Sequence, residues 1–156
     1  MTLSLQEISD RLEIQDLIYR YADIIDAQRF DELRTVFTDD AHIDYAETGG
    51  AVGSVEEIIA FLKKALAVFP NTQHLNGNMQ ISLYGDGDGD GDGDTATGRV
   101  MCFNPMELDT GDGRHTFMLG VWYRDHYRRC AEGWRITRRV EEKSWHFNLP
   151  DFMRMP

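Results

Sequence analysis

Helix-type periodicity is confined to the first 70 or so residues of this chain, and the residues after it pattern as strands. Ser4-Leu5-Gln6-Glu7 has the Ser-x-x-Glu form of a capping box, in which two side chains satisfy otherwise orphan backbone donors. Leu5, Ile8, Leu12, Leu17, Ile18, Tyr21, Ala22 and Ile25 follow, spaced mostly by three and four, which predicts a long amphipathic helix to about Asp26. Ser54-Val55-Glu56-Glu57 repeats the signature and starts a helix to about Phe69, striped by Ile58, Phe61, Leu62, Ala65, Leu66 and Phe69 and ended by Pro70-Asn71. Between them a short helix is expected at about 30–37. Ala41-His42-Ile43-Asp44-Tyr45 alternates as a strand, with Ala41, Ile43 and Tyr45 on one face. Gly49, Gly50 and Gly53 mark a loop. Strands are then expected at about 72–84, 96–105, 115–128 and 134–143. The unalternating run Phe117–Tyr123 reads as a strand covered on both faces. This order predicts an α+β fold, helices gathered on one side of a mostly antiparallel, curved sheet.

A chain of 156 residues with 42% hydrophobic residues and no shift in composition makes one domain with a substantial core, not a disordered segment. Its formal charge of −11 repels phosphate backbones and anionic lipid, so neither nucleic acid nor membrane is an expected partner. No apolar run is long enough to span a bilayer, and the start Met1-Thr2-Leu3-Ser4 lacks a signal-peptide pattern, so the expected location is cytoplasmic. Cys102 and Cys130 have no metal or redox spacing and read as packing residues. Gly85 to Asp94 is five consecutive Gly-Asp dipeptides, read as a flexible loop. Asp86-x-Asp88-x-Asp90-Gly91 copies the opening of an EF-hand loop, but Thr97 stands where its bidentate Glu belongs. A structural calcium site therefore does not follow, and a weak divalent site stays open.

No phosphate-binding Gly-rich loop, G-x-S-x-G elbow or H-E-x-x-H helix is present. Asp26 closes an apolar helical stretch, where a carboxylate is costly if buried alone, and His74 lies near a strand start. By composition alone they read as a helix-end acid and a surface histidine.

The segments Glu13–Asp26, Ala41–Tyr45, Thr72-Gln73-His74 and Gly133-Trp134-Arg135-Ile136, in this order and spacing, resemble the SnoaL-like group of the nuclear transport factor 2-like superfamily. The likeness runs from about Ile8 to Arg139. It implies a cone-shaped curved mixed sheet against three helices, enclosing a pocket. The group's scytalone dehydratases, bile-acid 7α-dehydratases and hexachlorocyclohexane dehydrochlorinases are cofactor-free lyases built around an Asp–His dyad. The resemblance places that dyad at Asp26 and His74, with Tyr21, Tyr45 and Arg139 as substrate-binding residues, no metal and no cofactor. Ile25, Met106, Phe117 and Leu119 stand where scytalone dehydratase has polar groups, so this pocket is expected to be more apolar. Self-association as a dimer or trimer is likewise implied.

The expected reaction is elimination of water or halide from a small hydrophobic cyclic substrate, with His74 taking a proton from carbon and Asp26 holding its ring. The alternatives are an isomerase using the same base and a noncatalytic binding module in which the pair is incidental. Strict alternation groups His74 with Asn76, Asn78 and Gln80, opposite Leu75, Met79 and Ile81. Either the pocket mouth is polar there or a bulge near Gly77 switches faces. Phe103, Trp122 and Trp134 are expected in the core or pocket wall. Asp125-His126 and Arg128-Arg129 read as a solvated edge. His115 and His146 have no spacing that favours the pocket, and the aromatic tail 145–152 is expected to cover the pocket or a subunit interface.

Overall fold

In a computed structural model of the chain, which describes residues 2–83 and 93–154, both capping boxes form. Ser4 Oγ accepts from the Glu7 N–H while Glu7 accepts from the Ser4 N–H, opening α1 (Leu5–Asp26). Ser54 and Glu57 do the same for α2 (Val55–Ala65). The short middle helix is a 3-10 segment, Phe30–Thr35, and α2 also ends in a 3-10 turn, Leu66–Val68. Ile14, Leu17, Ile18, Tyr21, Ile24 and Ile25 of α1 are buried, but Leu5, Ile8 and Leu12 of the expected stripe are exposed. In that first half α1 buries Asp10 instead, which receives two bonds from Arg129 and one from Trp134 Nε1. A satisfied ion pair thus occupies the place where periodicity expects leucine packing.

Among the described residues, seven strands form one sheet: β1 (Phe37–Asp44), β2 (Val52–Gly53), β3 (Asn71–Thr72), β4 (Leu75–Leu83), β5 (Thr95–Asp109), β6 (Arg114–Cys130) and β7 (Gly133–Phe147). The order is β2-β1-β7-β6-β5-β3, with β4 also on β5, because the 15-residue β5 is long enough to hold both. The β1–β7 pair is parallel and the other pairs are antiparallel, so the sheet is mixed, and it is curved and unclosed. Register slips interrupt it at Gly77/Gln80, Gly120/Val121 and His126/Tyr127, the irregularities that let a sheet bend. α1 packs against β4 and β7 and α2 against β1, and the core lies between helices and sheet. Most of the Gly-Asp repeat lies outside the described residues. Of its ends, Asp94 accepts from Arg129 Nε.

Three local expectations change. Asp125 and Arg129 are not edge residues: Asp125 is buried against Arg139, and Arg129 reaches Asp10. Phe103 lies on the outer face with Leu75, Trp145 and Phe147, all exposed, whereas Trp134 is core. The run Phe117–Tyr123 does alternate in burial about its bulge, with Met118 and Trp122 only half-covered on the outer side.

Candidate active site

Asp26 is the last residue of α1, where a carboxylate meets the negative end of the helix dipole with no basic residue in that turn to relieve it. Its compensation comes from the end of β3 and the residues that follow it. Thr72 Oγ1 donates to Asp26 Oδ1 at 2.9 Å, the His74 N–H donates to Oδ2 at 2.9 Å, and His74 Nδ1 lies 2.6 Å from Oδ1. Burial pushes this carboxyl up, but the bonds from His74 and Thr72 outweigh it and hold it below the ordinary range. An ionised Asp26 requires the hydrogen on Nδ1, which leaves Nε2 as the basic ring atom. The His74 side chain is 9% exposed and that of Asp26 26%, so the ring is the better shielded member. Asn104 Nδ2 donates to the Gln73 carbonyl and pins the turn that carries His74. A bulge resolves the parity conflict: the register slips between Gly77 and Gln80, Asn78 takes φ +44°, and Asn76 and Ile81 are both buried despite opposite parity.

Tyr21 and Tyr45 meet with their hydroxyl oxygens 2.7 Å apart, and the Tyr21 ring stands edge-on to His74 at 6.4 Å. Burial pushes the Tyr21 phenol up to about 12, against the opposing pull of Arg139, and Tyr45 well above its usual value. Both therefore remain hydrogen-bond donors at neutral pH. Arg139 does not line the cavity. It is fully buried beneath it, with Nε and Nη2 on the two oxygens of Asp125 and its guanidinium 4.2 Å from the centre of the Tyr21 ring and 4.1 Å from that of Tyr123. Its charge reaches the site through those rings.

The cavity has a volume of about 370 Å³ and is walled mainly by apolar side chains of α1, α2 and the sheet, among them Ile25, Leu62, Phe69, Met106 and Leu119. Tyr21, Tyr45 and His74 open onto it. Phe152 and Met153 of the C-terminal segment also line it, so the tail contributes to the wall. Neither His115 nor His146 is among the lining residues. Gly50 lies so close over Tyr45 that a Cβ would come within 2.5 Å of the Tyr45 Cβ, which holds the loop against the tyrosine pair. Sequence reasoning missed Glu141, which lines the same cavity and bonds with Thr48. In the run Val140-Glu141-Glu142-Lys143 it looks like a solvated strand. The available signal was parity, since Glu141 falls on the face of Arg139 and opposite Tyr123. Among the described residues, no group of three or more His, Cys, Asp and Glu side chains is placed to hold a metal ion, and no helix is long and apolar enough to cross a membrane.

An uncharacterized protein of Mycobacterium tuberculosis (strain ATCC 25618 / H37Rv) is 47% identical over 141 residues, which is 90% of each chain. The crystal structure of a proposed scytalone dehydratase from Novosphingobium aromaticivorans superposes with TM-score 0.78 over 93% of this chain and 91% of that one, at 16% identity. That of a hexachlorocyclohexane dehydrochlorinase from Novosphingobium barchaimii LL02 does so with TM-score 0.77 over 97% and 98%, also at 16% identity. At those identities the structural likeness is one of fold. The SnoaL-like domain profile matches residues 6–140, and with this helix-and-sheet order around one cavity the chain belongs to the SnoaL-like family, on the nuclear transport factor 2-like fold.

Proposed function

We propose that the chain is a cofactor-independent lyase that removes a proton from carbon and expels water or halide from a small hydrophobic cyclic substrate. The observation that carries this reading is the 2.6 Å contact between His74 Nδ1 and Asp26 Oδ1 at the wall of an apolar cavity. The cavity volume lies at the lower end of the roughly 300–1,000 Å³ typical of ligand sites, which suits a compact ring system. His74 Nε2 accepts the proton from a carbon acidified by a neighbouring carbonyl. Asp26 keeps the ring in the one useful tautomer and stabilises the imidazolium as it forms. In the Tyr21–Tyr45 pair one hydroxyl donates to the other, and the remaining hydrogen is left for a substrate oxygen on which charge develops. Arg139, beneath Tyr21, favours that donation by its charge without contacting the substrate.

The same reading places the chain in the cytoplasm as a dimer or trimer. The exposed apolar row Leu75, Phe103, Trp145 and Phe147 on the outer sheet face supports self-association, which light scattering tests.

The test of the chemistry is a panel of hydroxylated and halogenated cyclic ketones, with His74→Gln as the probe variant. Loss of the base should cut turnover by about 10²- to 10⁴-fold while calorimetric ligand affinity changes little. Turnover within about threefold of wild type would overturn the proposal.

A further inference from the structure

We infer that Glu141 is the acid partner of His74, delivering a proton to a departing oxygen, so that the substrate class is hydroxylated rather than halogenated. The inference rests on the lyase reading above and deepens it. Halide leaves as a stable anion and requires no proton, whereas hydroxide is a poor leaving group until it is protonated. A protonated carboxyl in the cavity is therefore useful for one chemistry and idle in the other.

Three observations place that proton. Glu141 lines the cavity that His74 also lines. It faces inward because it sits opposite Tyr123 in the β6–β7 register and two residues beyond buried Arg139 on β7. Arg139 is bonded to both oxygens of Asp125, so that cation is engaged elsewhere. Finally, Thr48 Oγ1 is in hydrogen-bond contact with two oxygens, the Glu141 carboxyl and the Tyr45 carbonyl, the latter at 3.1 Å. One hydroxyl hydrogen cannot serve both. The Tyr45 carbonyl can only accept, so both contacts are satisfied when Thr48 donates to it and Glu141 donates to Thr48. Burial pushes the Glu141 carboxyl up, and the opposing influences of Thr48, His74, Arg139 and Tyr123 do not cancel that rise. The phenols of Tyr21 and Tyr45, on the same cavity wall, hold their protons more tightly and are weaker acids.

The step balances. His74 Nε2 takes the proton from carbon, and the C–H electron pair becomes the new C=C bond. The C–O bond breaks with its electrons on oxygen, and Glu141 donates the proton that makes this oxygen water. Imidazolium and carboxylate remain, and proton exchange with solvent restores both.

The test has two readouts. Infrared difference spectroscopy of wild type against Glu141→Gln at pH 7 should show the carbonyl stretch of a protonated carboxylic acid. A carboxylate signal alone would overturn the inference without touching the His74 base. Kinetically, 3-hydroxycyclohexanone and 3-chlorocyclohexanone are compared, with wild type, Glu141→Gln and His74→Gln. Glu141→Gln should lose at least 100-fold more with the hydroxyl than with the chloride, and His74→Gln should lose both alike. Equal losses for the two leaving groups in Glu141→Gln would overturn the acid role. Turnover of both compounds retained in His74→Gln would instead overturn the underlying lyase reading.

Discussion

Asp26→Asn separates catalysis from stability in a way that follows from the three donors around that carboxylate. The amide can place its oxygen at the Oδ1 position, where it still accepts from Thr72 and from His74 Nδ1–H, but its NH₂ then confronts the His74 backbone N–H. An unsatisfied donor of this kind costs about 1–3 kcal/mol. In the reverse orientation the oxygen accepts the His74 N–H, the Thr72 hydroxyl rotates to accept, and the NH₂ donates to Nδ1. Every bond is then made, but the ring proton has moved to Nε2 and the base is gone. The second arrangement is favoured by about 5- to 150-fold on that cost, and the imidazolium loses its carboxylate in either. In a Ser-His-Asp triad the same substitution costs about 10⁴ in kcat, so a loss of order 10³ to 10⁴ is expected here, with unfolding free energy within about 1 kcal/mol of wild type at pH 7. The small stability gap should shift with acid. Asp26 has a lowered folded pKa, so its contribution is complete above the unfolded value of about 3.9 and is lost as pH falls through the folded one. Urea unfolding at pH 7 and pH 3 and turnover on an accepted cyclic ketone measure both arms. Turnover within tenfold of wild type in a folded Asp26→Asn protein would refute the tautomer argument.

Arg139→Met should destabilise by about 3–5 kcal/mol in chemical denaturation, because it strands a fully buried Asp125; adding Asp125→Asn should recover much of the loss, and additive losses would argue against the pair. Gly50→Ala should cost about 1–3 kcal/mol in a thermal melt, since its Cβ would lie 2.5 Å from the Tyr45 Cβ and 2.9 Å from the Tyr45 carbonyl; an unchanged Tm would show that the loop yields freely. For Glu141 the folded state binds its proton more tightly than the unfolded chain, so wild-type stability should fall as pH rises above the unfolded value of about 4.3 towards the raised folded one. Glu141→Gln should remove that fall, and superimposable stability–pH profiles would contradict it.

Periodicity and capping are local, and they were readable. Ser4-x-x-Glu7 and Ser54-x-x-Glu57 start helices where the spacing predicts them, Leu17, Ile18, Tyr21, Ala22 and Ile25 face the core, and the β-rich second half becomes strands. Even the bulge near Gly77 was one of two options raised by parity alone. What local pattern does not carry is the partner of each polar side chain. Asp125 reads as a solvated edge until β7 lays Arg139 across from it, and Asp10 looks like a surface acid on α1 until Arg129, 119 residues away, reaches it. Glu141 reads as half of an exposed acidic pair until the register sets it opposite Tyr123 and the Ala46–Thr48 turn brings Thr48 onto it. Asp26 and His74 were paired from the sequence through family likeness, whereas their contact, 48 residues apart along the chain, exists only because the segment after β3 folds back onto the end of α1. Burying a charge is costly unless a partner compensates it, and partners this far apart in sequence are chosen by the closed tertiary structure; residue type and spacing determine which segments become helix and strand, and the curvature of the sheet decides which acids meet a base and which meet a cation.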